Sequence, residues 1–415
     1  MKTFIMGAPL QEGTAAEAST PQTRYRWVVL LFAWGALLLT FVDRLAWSNL
    51  GLAAATSLGM PIAALGVFVT AFYAGYVLSN VIGGLATDLL GARVVLPLSL
   101  VPLGICTALF GSITSLYTGL LLQTLMGLAA GCDYSACIKL TTSWFDLRSR
   151  GRALGLLLTA TSLAVVLTNG LVPALLHFSS WTGIYRGLGI VTCGFGIACL
   201  FVLRDGPLAG RQGERPQKRQ RVDVRLLLEN RDLMLVALAG LGAMWGTWGF
   251  AFWANALMVK GHGLSTSVAG SITVMFGVGA IVSKPCIGLL SDWLGGRRKV
   301  LVMICVGAFA GLLLMFGSLH TVSQFRVVAP LLGVTAFAYS PLMAAMIAEI
   351  AGRSLAGSAT GLTNALWQLG SVIVPVAVGA VFQWSHSFLA AFLTLALGPL
   401  VAFISMMAVR EAPSA

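Results

Sequence analysis

The chain has 415 residues, of which 58% are apolar and 10% charged, with a mean hydropathy of +0.89. A soluble domain carries about 25% charged residues, so the composition excludes an ordinary soluble enzyme and a disordered chain. It leaves an all-α membrane protein built of spanning helices. The net charge of +12 is no nucleic-acid footprint, because Lys and Arg sit mostly in short loops between apolar runs.

Residues 1–26 are polar and small and lack the charged-then-apolar layout of a cleavable signal peptide. They are expected to be a disordered cytoplasmic tail. Twelve runs near the 20 or so apolar residues a spanning helix needs follow. Six are roughly Trp27–Leu50, Ile62–Leu85, Val94–Ile113, Leu116–Thr142, Arg152–Leu176 and Trp181–Leu203, a predicted bundle over 27–203. Residues 204–232 are the one long polar stretch between runs, read as a solvated cytoplasmic linker whose basic residues could meet anionic headgroups. Six more runs, Leu233–Val259, Val268–Leu290, Val300–Leu319, Val327–Ile350, Ala359–Phe382 and Phe388–Val409, predict a second bundle over 233–409, with 410–415 as a cytoplasmic tail. Twenty of the 26 Lys and Arg fall on the side of the termini, and only Lys260 and Arg326 in opposite loops. The positive-inside rule then puts both termini in the cytoplasm.

The seven cysteines lie inside apolar runs without metal spacing and read as small buried residues. The four histidines fall on different connections, and no nucleophile elbow or phosphate loop stands out. Neither an enzyme nor a metal or cofactor is expected.

An internal repeat divides the chain. Gly84, Asp88, Gly91 and Arg93 fit G-x-x-x-D-x-x-G-x-R, and so do Gly288, Asp292, Gly295 and Arg297. The second copy follows the first by 204 residues at each place (84 to 288, 88 to 292, 93 to 297). Two copies at one point of each six-helix half imply duplicated halves. Glycines there permit close helix approach, and an aspartate can face a helix N-terminus, as a gating motif would require.

These two loops resemble the signature of the major facilitator superfamily, as does Trp144-Phe145 followed by Arg150-Gly151-Arg152-Ala153. The resemblance runs from Trp27 to Val409. It implies two pseudo-symmetric six-helix bundles around a central cavity, alternately open to each side and lined by helices 1, 4, 7 and 10 with help from 2, 5, 8 and 11.

Charge within a span costs about 2.5–3.5 kcal/mol per residue on insertion scales, so Asp43, Arg44, Asp133 and Lys284 must face a wet cavity or pair internally. Asp43 and Arg44 point about 100° apart on one helix and make a poor mutual pair. Phe41-Val-Asp43-Arg44 resembles helix 1 of the anion:cation symporters, which take up sugar acids and related carboxylates. That resemblance implies anion binding by Arg44 and proton coupling by Asp43. Helix 4 departs from the group: Gln123 and Ala130 stand where an Arg and a Glu are usual, and Asp133 could replace the missing carboxylate or partner Lys139. Lys284, four residues before Gly288, resembles the carboxylate-binding position of oxalate/formate and monocarboxylate transporters; pairing with Glu349 is the alternative.

Further cavity candidates are Tyr73 and Tyr76 on helix 2, Asn169 on helix 5, and Trp245, Trp248, Trp253 and Asn255 on helix 7. Tyr339-Ser340-Pro341 is expected to interrupt helix 10. Asn364, Trp367 and Gln368 form an i, i+3, i+4 patch on helix 11. The substrate residues predicted from this set are Arg44, Lys284, Tyr73, Tyr76, Trp248, Asn255, Tyr339, Asn364, Trp367 and Gln368, with Asp43 and Asp133 for protons. The expectation is a monomeric secondary transporter of a small organic anion in a bacterial cytoplasmic membrane, driven by proton symport and contacting only lipid, protons and solute. The alternative is a proton-antiport exporter of amphipathic compounds.

Overall fold

A bilayer offers no water to backbone groups, so a spanning segment must close its hydrogen bonds within itself. The computed structural model describes residues 22–145, 147–204, 206, 224–293 and 297–410, and among them no strand occurs. Residues 1–21 of the predicted tail, residues 205 and 207–223 of the linker and residues 411–415 lie outside the described residues, whereas residues 22–26, expected in the tail, are the first turns of the first helix.

The first half comprises α1 (Gln22–Ser57), α2 (Ala63–Leu90), α3 (Ala92–Phe110), α4 (Leu116–Ala130), α5 (Asp133–Trp144), α6 (Leu147–Leu175) and α7 (Trp181–Val202). The second comprises the short α8 (Val224–Glu229), then α9 (Arg231–His262), α10 (Thr266–Trp293), α11 (Arg298–Gly317), α12 (Val322–Ser385) and α13 (Phe388–Ala408). Eleven segments among the described residues are long and apolar enough to cross a membrane. The pair α4 and α5, of 15 and 12 residues, makes the twelfth crossing.

Two predicted elements differ. The fourth run breaks at Gly131 and Cys132, where α2 comes so close that a Cβ on Gly131 would overlap the hydroxyl of Ser79. The tenth is not interrupted at Tyr339-Ser340-Pro341: helix continues through Pro341 and joins the eleventh as one 64-residue assignment. A straight helix of that length would run about 96 Å at 1.5 Å per residue. Instead the chain turns back on itself, because α9 meets both arms. Thr247 donates to the carbonyl of Ala336 (2.9 Å), while a Cβ on Gly240 would overlap Trp367 and one on Gly370 the carbonyl of Leu241.

The sequence repeat returns as a packing repeat. A Cβ on Gly75 would overlap the carbonyl of Thr124, and one on Gly279, 204 residues later, that of Pro330. Reciprocally, Gly127 lies against the carbonyl of Phe72 and Gly333 against that of Phe276. The crossings α2–α4 and α10–α12 are therefore equivalent, each closed by small residues that let backbones touch, the usual device where lipid gives no hydrophobic drive between helices.

The halves meet at the end away from the termini. Thr70 donates to the carbonyl of Val372 (2.7 Å), the amide of Ala63 to Gln383 Oε1 (3.1 Å), and His177 pairs with Ser267 (2.9 Å). A cleft of about 520 Å³ opens between α6 and α10 there, with Asn169 and His177 in its lining.

Gly127→Val and Gly333→Val are each expected to lower the thermal unfolding midpoint of detergent-purified protein, as overpacking costs about 1–3 kcal/mol or more. Gly155→Ala, where no atom stands within 4 Å of the new methyl, should leave the midpoint unchanged or raise it slightly.

Candidate functional site

The two charges of α1 part company as helical geometry demands. Asp43, 1% exposed, turns into the first half. Its Oδ2 accepts a hydrogen bond from Thr192 Oγ1 of α7 (2.8 Å), while Oδ1 has no partner. Thr107 of α3 and Tyr185 of α7 stand beside it, and both of their hydroxyls are also buried without a partner.

Arg44, 6% exposed, turns towards the second half. Its guanidinium carbon lies 4.3 Å from the ring centre of Tyr73 and 4.3 Å from that of Trp248. Phe41 follows at 5.1 Å and Tyr76 at 5.2 Å. Desolvated contacts of this kind are worth about 2 kcal/mol, which offsets part of the cost of burying the charge. The rings leave one edge unanswered: Nε and Nη2 have no hydrogen-bond partner. Arg44 borders a cavity of about 10 Å³ with Trp47, Val69, Phe72, Gln123 and Phe252, room for about one water.

Asp133 is the first residue of α5, placed there by the break at Gly131 and Cys132. It is 1% exposed, beside Thr40 and within electrostatic reach of Arg44, yet Oδ2 has no partner. Among the described residues the ion pair within 4.0 Å is Arg298–Glu349. Glu349 is thus engaged by Arg298. Lys139 donates to the carbonyl of Thr87 in the last turn of α2 (2.9 Å), where a cation suits the helix dipole.

The other predicted residues separate into groups. Tyr73, Tyr76 and Trp248 gather at Arg44. Trp245 instead donates to the carbonyl of Thr394 on α13 (2.9 Å), and Trp253 to that of Pro375 (3.0 Å). Asn255 does not reach Arg44. Its amide donates to Asn49 Oδ1 and Asn169 Oδ1 (both 2.7 Å), and its Oδ1 accepts from Thr273 (2.6 Å). Tyr339 and Trp367 pack in a second apolar cluster, with the Tyr339 hydroxyl 3.3 Å from Thr247; Asn364 and Gln368 are half-buried on the same arm as Trp367. Lys284 lies on α10, but its side chain is outside the described residues.

In the gating motif, Gly91 is a one-residue joint between α2 and α3 at φ 83°, a backbone conformation that favours glycine. Arg93 is exposed, and Arg297 caps α11. Gly295, the surroundings of Gly84 and Gly288, and the side chains of Asp88 and Asp292 lie outside what the structure describes. Sequence reasoning passed over Phe72, Phe252 and Val69 at the cavity, whose apolar side chains carry no signal of a site. It also passed over the pairing of Asn49 with Asn255, although Trp47-Ser48-Asn49 and Trp253-Ala254-Asn255 repeat a W-x-N pattern near the repeat offset.

Thr192→Val keeps the shape of the side chain and removes the hydrogen bond that Asp43 accepts. The expected stability loss is about 1–3 kcal/mol, read as a lower unfolding midpoint, with Thr192→Ser close to native. Equal midpoints for all three proteins would sink this assignment.

The Major Facilitator Superfamily profile matches residues 32–375 and 236–415. The probable galactarate/D-glucarate transporter GudP of Escherichia coli (strain K12) is 23% identical, over 96% of this chain and 96% of its own length. The membrane sensor protein UhpC of Salmonella typhimurium (strain LT2) is 26% identical over 84% of each. Among solved structures, a bacterial homolog of the human lysosomal transporter Spinster, inward-facing and occupied, superposes with a TM-score of 0.76 at 14% identity, covering 94% of this chain and 99% of that one. That last likeness is one of fold. The family profile spans most of the chain, and the chain therefore belongs to the Major Facilitator Superfamily, as an integral multi-pass membrane transporter and not an enzyme.

Proposed function

We propose that the chain carries a small organic anion, a carboxylate of the sugar-acid kind, by alternating access coupled to proton symport. The observation that carries this reading is the bare edge of Arg44. Nε and Nη2 present parallel N–H groups on one side of the guanidinium, the geometry that takes both oxygens of a carboxylate. A buried donor without an acceptor costs free energy, so this edge is suited to an incoming anion. Tyr73 has an unpartnered hydroxyl and Gln123 borders the same cavity; both are suited to the hydroxyls of a sugar acid. The kinship with GudP, named for galactarate and D-glucarate, supports the same class.

A space of about 10 Å³ cannot hold such a solute. Entry requires α9, which carries Trp248 and Phe252, to move away from α1 and α2, and that movement is the step alternating access needs. With both termini cytoplasmic in a bacterial inner membrane, as the basic loops favour, the joined end faces outward. Asp43 and Asp133 supply the proton sites, since a carboxyl whose surroundings change through the cycle can exchange a proton as they do. Lys284 is a second cation for the same solute.

Two other readings are weaker. An exporter of amphipathic compounds needs a free aromatic face on α9, but Trp245 and Trp253 are committed to backbone carbonyls and Trp248 to Arg44. A sensor, the class UhpC is named for, would bind without flux.

In proteoliposomes, galactarate or D-glucarate uptake is expected to fall about 10–100-fold in Arg44→Lys. The loss corresponds to one charge-assisted bond of about 1.5–3 kcal/mol, at tenfold per 1.4 kcal/mol. Thermal stabilisation by the same acids should vanish in Arg44→Ala. Stabilisation of native protein without flux would favour the sensor, and uptake indifferent to both variants would reject the anion site.

Asp133→Asn should abolish uphill accumulation driven by a proton gradient while leaving solute exchange measurable. Unchanged accumulation would remove Asp133 from the coupling mechanism.

A further inference from the structure

Five residues beyond Arg44 on α1, about 7.5 Å at 1.5 Å per residue, lies a polar island that anion binding does not use. Asn49, Asn169, Asn255 and Thr273 come from α1, α6, α9 and α10, two helices from each half. All are 3% exposed or less. Asn49 donates to Asn169 Oδ1 (3.0 Å), and Asn255 donates across the halves to both Asn49 and Asn169 (2.7 Å each). Thr273 braces Asn255 (2.6 Å), and Asn169 is fixed by its own donation to the carbonyl of Val165 (2.8 Å).

We infer that this asparagine cluster is an uncharged lock that holds the end away from the termini shut. Three arguments converge. Asn49 and Asn255 hold corresponding places in the W-x-N repeat, so they meet where the two halves face each other. The cluster also sits between the Arg44 cavity and the end where Thr70–Val372, Ala63–Gln383 and His177–Ser267 join the halves. Finally, amides can exchange these partners for water as the end opens, so the lock is breakable, whereas a dry apolar seam would gain nothing from hydration.

The lock is also connected to the site. Asn255 follows Trp248 by seven residues on α9, about two turns, and so shares its face. Arg44 against Trp248 (4.3 Å) and Asn49 against Asn255 (2.7 Å) are two contacts between the same pair of helices, α1 and α9. A solute that parts the first pulls on the second. The inference rests on the alternating-access part of the proposed function and is independent of the class of solute.

The test places spin labels at Ser179 and Ser323, exposed near the joined end in either half, through a bio-orthogonal amino acid that spares the native cysteines. Distances are measured by pulsed electron resonance in lipid nanodiscs, with the full chain. Native protein should show a dominant short separation. Asn255→Ala should raise the long-to-short ratio about tenfold, and Thr273→Val, nearly isosteric, should shift it the same way by less. An unchanged ratio in both variants overturns the lock. Should Asn255→Ala not fold, the ratio in Thr273→Val decides alone. A native protein with one separation at every pH and concentration of D-glucarate would instead defeat alternating access. Two native populations whose ratio the variants leave alone would defeat the lock and spare the transport reading.

Discussion

The structure is organised around a guanidinium buried at the junction of the two halves without a carboxylate on it. A charge placed there costs several kcal/mol against lipid or dry protein, and something must answer it. Here the answer is four aromatic faces from α1, α2 and α9. Rings satisfy charge without consuming N–H donors. Arg44 is thereby held in place while keeping the Nε and Nη2 edge free. A carboxylate would have held it more tightly, but would also have occupied the edge that the proposed anion has to reach.

This arrangement depends on the angle between adjacent helical residues. Had Asp43 faced the same way as Arg44, the pair would have neutralised itself. Instead Asp43 is turned into the first half to meet Thr192, and Asp133 stands near the guanidinium without an ion pair. The junction therefore keeps a positive field with two carboxyls at its margins. In the proposed cycle the two are placed differently. Asp133 would respond to the occupancy of Arg44 through space, whereas Asp43 is joined to Arg44 only through the α1 backbone.

Much of the architecture was legible in the sequence, because spans are fixed by apolar length and the repeat by its constant offset. Gly75 and Gly279 show why: the same close crossing is needed in each half, so the same residue stands at the same place. The site was legible along the helix axes and not around them. Sequence places Trp245 and Trp248 on one side of helix 7, yet the first packs against α13 and the second against Arg44. Rotation about an axis is set by neighbouring helices, which periodicity in an evenly apolar span does not specify. The break at Gly131 and Cys132 escaped for a similar reason, since the close approach of Ser79 on α2 at that point is a matter of packing between helices. Asn255 was read as a solute contact because polarity within a span marks a functional position, but polarity does not say which function. The repeated W-x-N would have paired it with Asn49.

The charged and the neutral polar contacts join different parts of the molecule, and this bears on how the balance between conformations is set. Near the termini the charged contacts stay within one half: Arg298 with Glu349, whose side chains are 29% and 60% exposed, and Lys139 with the carbonyl of Thr87; neutral contacts such as Trp144 to the carbonyl of Arg204 stand beside them. Exposed ion pairs are worth about 0–1 kcal/mol and are screened by salt. Beyond Arg44 the halves are joined by the buried amides of Asn49, Asn169 and Asn255, which salt does not reach, while the Ala63–Gln383 and His177–Ser267 contacts further out are exposed. The buried contacts that cross between the halves beyond Arg44 are thus neutral, and the screened charges near the termini do not cross between them. In the proposed cycle the end away from the termini rests closed, and the free energy that opens it comes from inside the bundle. In that cycle it arrives at Arg44, where the proposed anion would exchange weak aromatic contacts for a bidentate bond and, by parting α1 from α9, strain the amides beyond.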